Sequence, residues 1–210
     1  VWSYLPDMTR RWGEMEATPT MIWIQPPGTP SMGHLFLDAY HATGDEYYYQ
    51  AAEKAAQALI WGQNAAGGWH YMIDFGGEAS MKDWYATYGK NAWRLEEFQH
   101  YWGNATFDDA GTSEAMQFLL RLYMEKKDPR WKPALDKAIN FVLESQYPIG
   151  GWPQRWGAGG SSTPSSGRIC GSGMDTGPPT WRGMRLGGRR YASSPLPLSR
   201  LLSGSAAACP

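Results

Sequence analysis

Apolar side chains recur at helical spacing in four stretches of this chain, and the four fall into two matching pairs. Met32, Leu35, Phe36, Ala39 and Tyr40 form one stripe; Tyr48, Ala52, Ala55 and Leu59 form the next. Met116, Leu119, Leu122 and Tyr123, then Leu135, Ala138, Ile139, Val142 and Leu143, repeat the arrangement. The punctuation repeats with it. Thr29 and Thr112 stand where N-caps belong, and Pro30 follows at a first helical position. Gly44 is a stop, and Asp45 and Asp128 open the second helix of each pair. Each pair then runs into a Gly-Gly-Trp turn, at residues 67–69 and again at 150–152.

One offset, from Trp69 to Trp152, superposes the two stretches without a gap. It places Gly111-Thr112 on Gly28-Thr29, Tyr123 on Tyr40, Ala134 on Ala51, Lys137 on Lys54 and Gln146 on Gln63. The chain thus holds one unit twice, called copy one and copy two below. Short links make consecutive helices antiparallel neighbours. A helix hairpin with one apolar face must stack on another. The period exceeds that of a plain helical solenoid, and the excess lies in an aromatic insertion between residues 70 and 107. The expected fold is all-α: an incomplete (α/α) toroid of antiparallel hairpins with long irregular loops.

Composition changes this picture at one place. Residues 1–156 carry 13 Lys and Arg against 19 Asp and Glu; residues 157–210 carry six Arg and one Asp, with no Lys, Glu or Phe. Gly, Ser, Pro, Ala and Arg dominate that last segment, and helical periodicity ends. Residues 1–156 therefore read as the domain. Residues 157–210 read as a disordered low-complexity tail or, preferably, as a shifted reading frame. The opening Val1-Trp2-Ser3-Tyr4, with no initiator Met, reads as the end of an earlier turn in a longer protein. The mild acidity of the first part argues against a nucleic-acid partner, and no apolar run is long enough to span a membrane. Twelve Trp and twelve Tyr suit a carbohydrate cleft, although large aromatics also pack helical cores.

Candidate chemistry gathers in copy two. Asp108 and Asp109 precede its first helix, where they either bind a hard cation or complement the helix terminus. Their counterparts in copy one are Gln25 and Pro26, so the scaffold recurs without the carboxylates. The second Gly-Gly-Trp turn leads into Trp152, Gln154 and Arg155, and Arg155 can pair with a carboxylate. Trp152 has a twin in Trp69 and can equally be core. Glu96 and Glu97 are adjacent and point apart, so they make no acid–base pair by themselves. His34, His41, His70 and His100 complete no zinc pattern.

Thr106-Phe-Asp-Asp-Ala-Gly-Thr112, Ser145-Gln-Tyr-Pro148 and Gly150-Gly-Trp-Pro-Gln154 resemble the pectate lyases of polysaccharide lyase family 10. The resemblance implies an (α/α) toroid, a secreted or periplasmic setting, and Ca²⁺-assisted β-elimination on polygalacturonate or oligogalacturonate by a monomer. It implies cation binding by Asp108, with Asp109 the weaker match, and substrate contacts from Asp108, Trp152, Gln154 and Arg155. It further implies a second acidic motif and an arginine base beyond the Gly-Gly-Trp-Pro-Gln turn. Neither has a counterpart here, so no catalytic residue is assigned and the chain itself is expected to be inactive. Two rival readings remain: a toroid glycoside hydrolase on uronic-acid sugars, and a non-catalytic carbohydrate-binding repeat module.

Overall fold

The computed structural model describes residues 1–89 and 104–156. Copy one is a hairpin of α1 (Thr29–Thr43) and α2 (Glu46–Gly62). Copy two is a hairpin of α4 (Gly111–Lys126) and α5 (Lys132–Glu144). Between them lies α3 (Gly77–Thr87). Gly44 ends α1 in the left-handed region at φ 70°, its N–H returning to the Tyr40 carbonyl. The Asp45 carboxylate accepts from the Tyr47 N–H at 2.9 Å, and the Asp128 carboxylate accepts from the Arg130 N–H at the same distance. The Asp45 cap satisfies a backbone donor that the start of α2 leaves open, whereas the Asp128 bond lies in the turn before α5, whose N-cap is Trp131 with no side-chain cap bond, so the expected cap at Asp128 is not formed.

Two further expectations change. Thr29 and Thr112 are not N-caps. Gly28 and Ala110 hold those positions, and neither helix start has a side-chain cap bond. Thr112 instead uses its buried hydroxyl across the copies, accepting from the Trp69 N–H at 3.1 Å and lying 3.2 Å from the Trp69 carbonyl. The buried face of α1 is also rotated from the predicted stripe. Gly33 and Leu37 are buried, whereas Met32 and Leu35 are exposed. Gly33 faces copy two so closely that an added Cβ would lie 2.4 Å from the Phe118 ring, and this contact selects the buried edge. In α2, Tyr49 rather than Tyr48 is buried, and Leu143 of α5 is exposed.

The repeat extends into strands that the apolar pattern does not reveal. β4 (Met21–Trp23) pairs antiparallel with β5 (Met72–Asp74), matching Ile22 with Ile73 and Trp23 with Met72. β6 (Ala105–Thr106) pairs with β7 (Arg155–Trp156), matching Ala105 with Trp156 and Thr106 with Arg155. These are the same registers, one repeat apart. The unit is therefore strand, helix, helix, turn, strand, with its two strands zipped together.

The Gly-Gly-Trp turn is the same object twice. Asn64 N–H donates to Gly68 O at 3.0 Å, as Tyr147 N–H does to Gly151 O at 2.8 Å. The Gln63 amide reaches Gly67 O at 2.8 Å, and the Gln146 amide reaches Gly150 O at 2.9 Å. The Trp69 indole donates to Leu59 O at 2.7 Å; the Trp152 indole donates to Val142 O at 2.8 Å. Gly67 and Gly150 both hold positive φ, at 113° and 92°, which an L side chain rarely adopts.

The copies sit side by side with α1 and α4 parallel. Ser31 meets Glu114 at 3.2 Å, Asp38 meets Arg121 at 2.5 Å and His41 meets Glu125 at 2.7 Å, in the same order along both helices. A shared core of Leu37, Leu59, Trp69, Phe118, Leu122 and Phe141 lies beneath. A second, smaller core joins β4, β5 and α3 to an antiparallel meander of β1 (Ser3–Tyr4), β2 (Arg11–Trp12) and β3 (Glu16–Ala17). Trp23 and Trp84 meet edge-on there at 6.3 Å, and the Trp84 indole donates to Glu16 O at 2.8 Å.

Candidate functional site

The site forms where the strand ends of the two copies converge. β6 ends in a single 3₁₀ turn, Asp108–Ala110, which leads into α4. The Thr106 hydroxyl accepts from the Asp108 N–H at 3.0 Å and so fixes the start of the turn. Asp109 at φ 47° and Ala110 at φ 58° both occupy the left-handed region, a costly conformation for residues with a Cβ. Pairing of β7 with β6 then brings Gln154 and Arg155 beside this turn, with the Phe107 N–H donating to Gln154 O at 3.0 Å.

Three sequence-predicted residues are thereby assembled. The half-buried Asp108 carboxylate accepts from the Gln154 amide at 2.6 Å. The same oxygen accepts from the Tyr71 hydroxyl at 2.8 Å. Arg155 in turn donates to the Tyr71 hydroxyl at 3.3 Å, with its guanidinium 5.9 Å from that ring's centroid. Asp109 is exposed and turns the other way. Its carboxylate accepts from the Gln25 amide at 2.6 Å, and that amide also reaches Glu14 at 3.2 Å. Gln25 is itself pinned, its side-chain oxygen accepting from the Trp23 indole at 2.9 Å and its carbonyl from the Trp2 indole at 2.9 Å.

Sequence reasoning marked neither Gln25 nor Tyr71 as a site residue. The repeat offset carried the signal: Gln25 is the twin of Asp108, and Tyr71 is the twin of Gln154. All four polar positions meet at one joint. Trp152 is set differently. It is half-buried against the core with its indole bound to Val142 O, as Trp69 is bound to Leu59 O. Its position is that of a scaffold residue.

Behind Arg155 lies a buried polar pair. The Tyr85 hydroxyl is 3.2 Å from a His70 ring nitrogen. Burial, assisted by the Arg155 charge, lowers the His70 pKa from 6.5 to about 3, so the ring is neutral at ordinary pH. Burial likewise pushes the Tyr85 phenol up. His34 packs edge-on against Phe118, and burial lowers its pKa too. Among the described residues no three His, Cys, Asp or Glu side chains cluster to hold a metal, and no helix is long and apolar enough to cross a membrane. Glu96, Glu97, His100 and residues 157–210 lie outside the described residues.

Residues 74–163 match the pectic acid lyase family, a span that takes in copy two and the insertion before it. Two solved structures of a family 10 polysaccharide lyase from Cellvibrio cellulosa, one of them a mutant in complex with trigalacturonic acid, share 20% identity with this chain. Each alignment covers 65% of this chain and 40% of the other, with a TM-score of 0.45. The chain thus spans about two fifths of the length of those enzymes. No curated protein matches it. Asp108, Asp109, Gln154 and Arg155 all fall inside the span that is similar to the pectic acid lyase family.

Proposed function

We infer that this chain is part of a pectate lyase that cleaves polygalacturonate by Ca²⁺-assisted β-elimination, and that by itself it binds oligogalacturonate without cleaving it. The observation that carries this reading is the clamp on Asp108. One carboxylate oxygen is held by Gln154 and Tyr71, with the Arg155 guanidinium bound to the same tyrosine. A carboxylate and a guanidinium are thus fixed side by side at the edge of the helix array, where an acidic sugar needs both.

Asp108 and Asp109 offer the carboxylate oxygens that a hard cation takes. Asp108 would hold Ca²⁺ as one member of a partial set, with Asp109, which turns toward Gln25, the weaker contributor and the remaining oxygens coming from water and from galacturonate carboxylates. A bound Ca²⁺ would stabilise the charge that develops when the proton α to a uronate carboxylate is lost. Gln154 and Tyr71 orient the Asp108 carboxylate, and Arg155 pairs with a uronate carboxylate through its planar fork. No described side chain is placed to take up the proton. An arginine could not act as base while it keeps its ordinary protonation, and Arg155 is engaged by Tyr71. The same reading carries an incomplete (α/α) toroid and a secreted or periplasmic setting.

Calorimetric titration of trigalacturonate into the full chain tests this. Binding is expected with Ca²⁺ present, lost on adding EGTA, and lost in Asp108→Ala. Binding that ignores EGTA would favour the non-catalytic sugar-binding module. Unsaturated product from polygalacturonate would overturn the predicted inactivity.

A further inference from the structure

Tyr71 stands between the two opposite charges of the site. Its hydroxyl carries one proton, which it donates to the Asp108 carboxylate at 2.8 Å, and its oxygen accepts from Arg155 at 3.3 Å. The phenol is firmly held. The residue is fully buried, its ring meets His70 edge-on at 5.0 Å, and its backbone carbonyl accepts from the Ile24 N–H at 2.6 Å. Among the described residues, every donor to the Asp108 carboxylate is neutral. Gln154 and Tyr71 share one oxygen, and the Asp109 N–H reaches the other at 3.2 Å. Gln154 and Tyr71 are twins one repeat apart, so the same position of both copies donates to one carboxylate.

This arrangement runs against the usual preference of such charges. A neighbouring carboxylate and guanidinium ordinarily meet fork to fork, because two charge-assisted hydrogen bonds are stronger than bonds relayed through a neutral group. Elsewhere in the molecule they do so: Arg10 donates to both oxygens of Glu16, at 2.7 and 2.6 Å. A fork-to-fork pair at the site would occupy the two carboxylate oxygens that a hard cation takes, and the guanidinium edge that a uronate takes.

We propose that Tyr71 is a positioning residue that insulates Asp108 from Arg155: its hydroxyl keeps the carboxylate charge available to a divalent cation and the guanidinium available to a sugar carboxylate. The insulation follows from the hydrogen bonds themselves, whereas what the two charges serve rests on the lyase reading. Copy one, which carries neither charge, thereby keeps the charges of copy two from cancelling each other.

Tyr71→Phe removes only the hydroxyl and tests the proposal in the full 210-residue chain. Its crystal structure is expected to show Arg155 directly on Asp108, with nitrogen–oxygen distances of about 2.7–2.9 Å. An Arg155 that stays clear of the carboxylate overturns the proposal. Calorimetric titration with Ca²⁺ alone gives a second readout. Affinity is expected to fall about tenfold in Tyr71→Phe, as Arg155 takes up the carboxylate, and to recover in the double variant Tyr71→Phe/Arg155→Gln. A hydroxyl that merely orients Asp108 predicts instead a double variant as weak as the single one. Unchanged affinity in Tyr71→Phe, or no recovery in the double variant, overturns the proposal. A wild-type chain that binds no Ca²⁺ sinks the lyase reading instead, and the Tyr71→Phe structure still decides the insulation. Should Tyr71→Phe fail to fold, a wild-type crystal structure decides: Arg155 seated on Asp108 overturns the proposal, and the hydroxyl between them supports it.

Discussion

Copy one and copy two share a backbone and differ in what they hang on it. The two Gly-Gly-Trp turns make the same hydrogen bonds, and the two strand pairs have the same register. Yet at the strand ends copy one carries Gln25 and Tyr71 where copy two carries Asp108 and Gln154. The family match covers copy two and leaves α1 and α2 outside it. Copy one is not passive, because its Tyr71 and Gln25 hold the two carboxylates of copy two. A duplicated unit can thus divide labour: one copy presents the charged groups and the other supplies neutral donors that fix them.

Four measurements would break or sharpen this comparison. The largest effect is expected at the turn tryptophans. Trp69 is fully buried between the copies, so Trp69→Ala should cost about 3–5 kcal/mol in urea unfolding. Half-buried Trp152→Ala should cost roughly half as much. Equal losses would mean that the joint does not dominate stability.

The turn glycines come next. A Cβ on Gly67 would lie 2.4 Å from the Lys137 carbonyl oxygen, a backbone atom of the other copy, whereas one on Gly150 meets nothing within 4 Å. Gly67→Ala should cost about 2–4 kcal/mol, from strain plus overlap. Gly150→Ala should cost about 1–2 kcal/mol, from positive φ alone.

Acid sensitivity should also belong to copy one, since the twin of His70 is Pro153. The folded state holds His70 neutral down to about pH 3, whereas the unfolded histidine protonates near 6.5. Between those values the unfolded chain binds one proton more. The contribution of His70 to stability is therefore present above pH 6.5 and is lost as pH falls, by about 2 kcal/mol at pH 5. Unfolding titrations should show that slope, and His70→Gln should flatten it.

The smallest effect, and the only stabilising one, is expected at Ala110. Its φ of 58° suits glycine, and Ala110→Gly should add about 0.5–1 kcal/mol. A loss of stability there would show that the turn relaxes in solution.

By itself the sequence determined the helix pairs, the cap at Asp45, the stop at Gly44 and the duplicated turn. Each of these rests on short-range chemistry: helical periodicity, side-chain capping, and glycine at positive φ. It also marked Asp108, Gln154 and Arg155 as chemically unusual for their places in the repeat. Only the tertiary structure decided the rest. Strands of two or three residues are too short to carry an alternation, so β6 and β7 became visible only once they paired. The buried edge of α1 was chosen by the fit of Phe118 over Gly33, which no stripe within α1 encodes. Thr112 looked like a cap and became a cross-link to Trp69, because a partner more than forty residues away was brought within hydrogen-bond reach. Gln25 and Tyr71 entered the site for the same reason. Their roles depend on a joint between two copies, and a pattern read along one chain direction does not contain it.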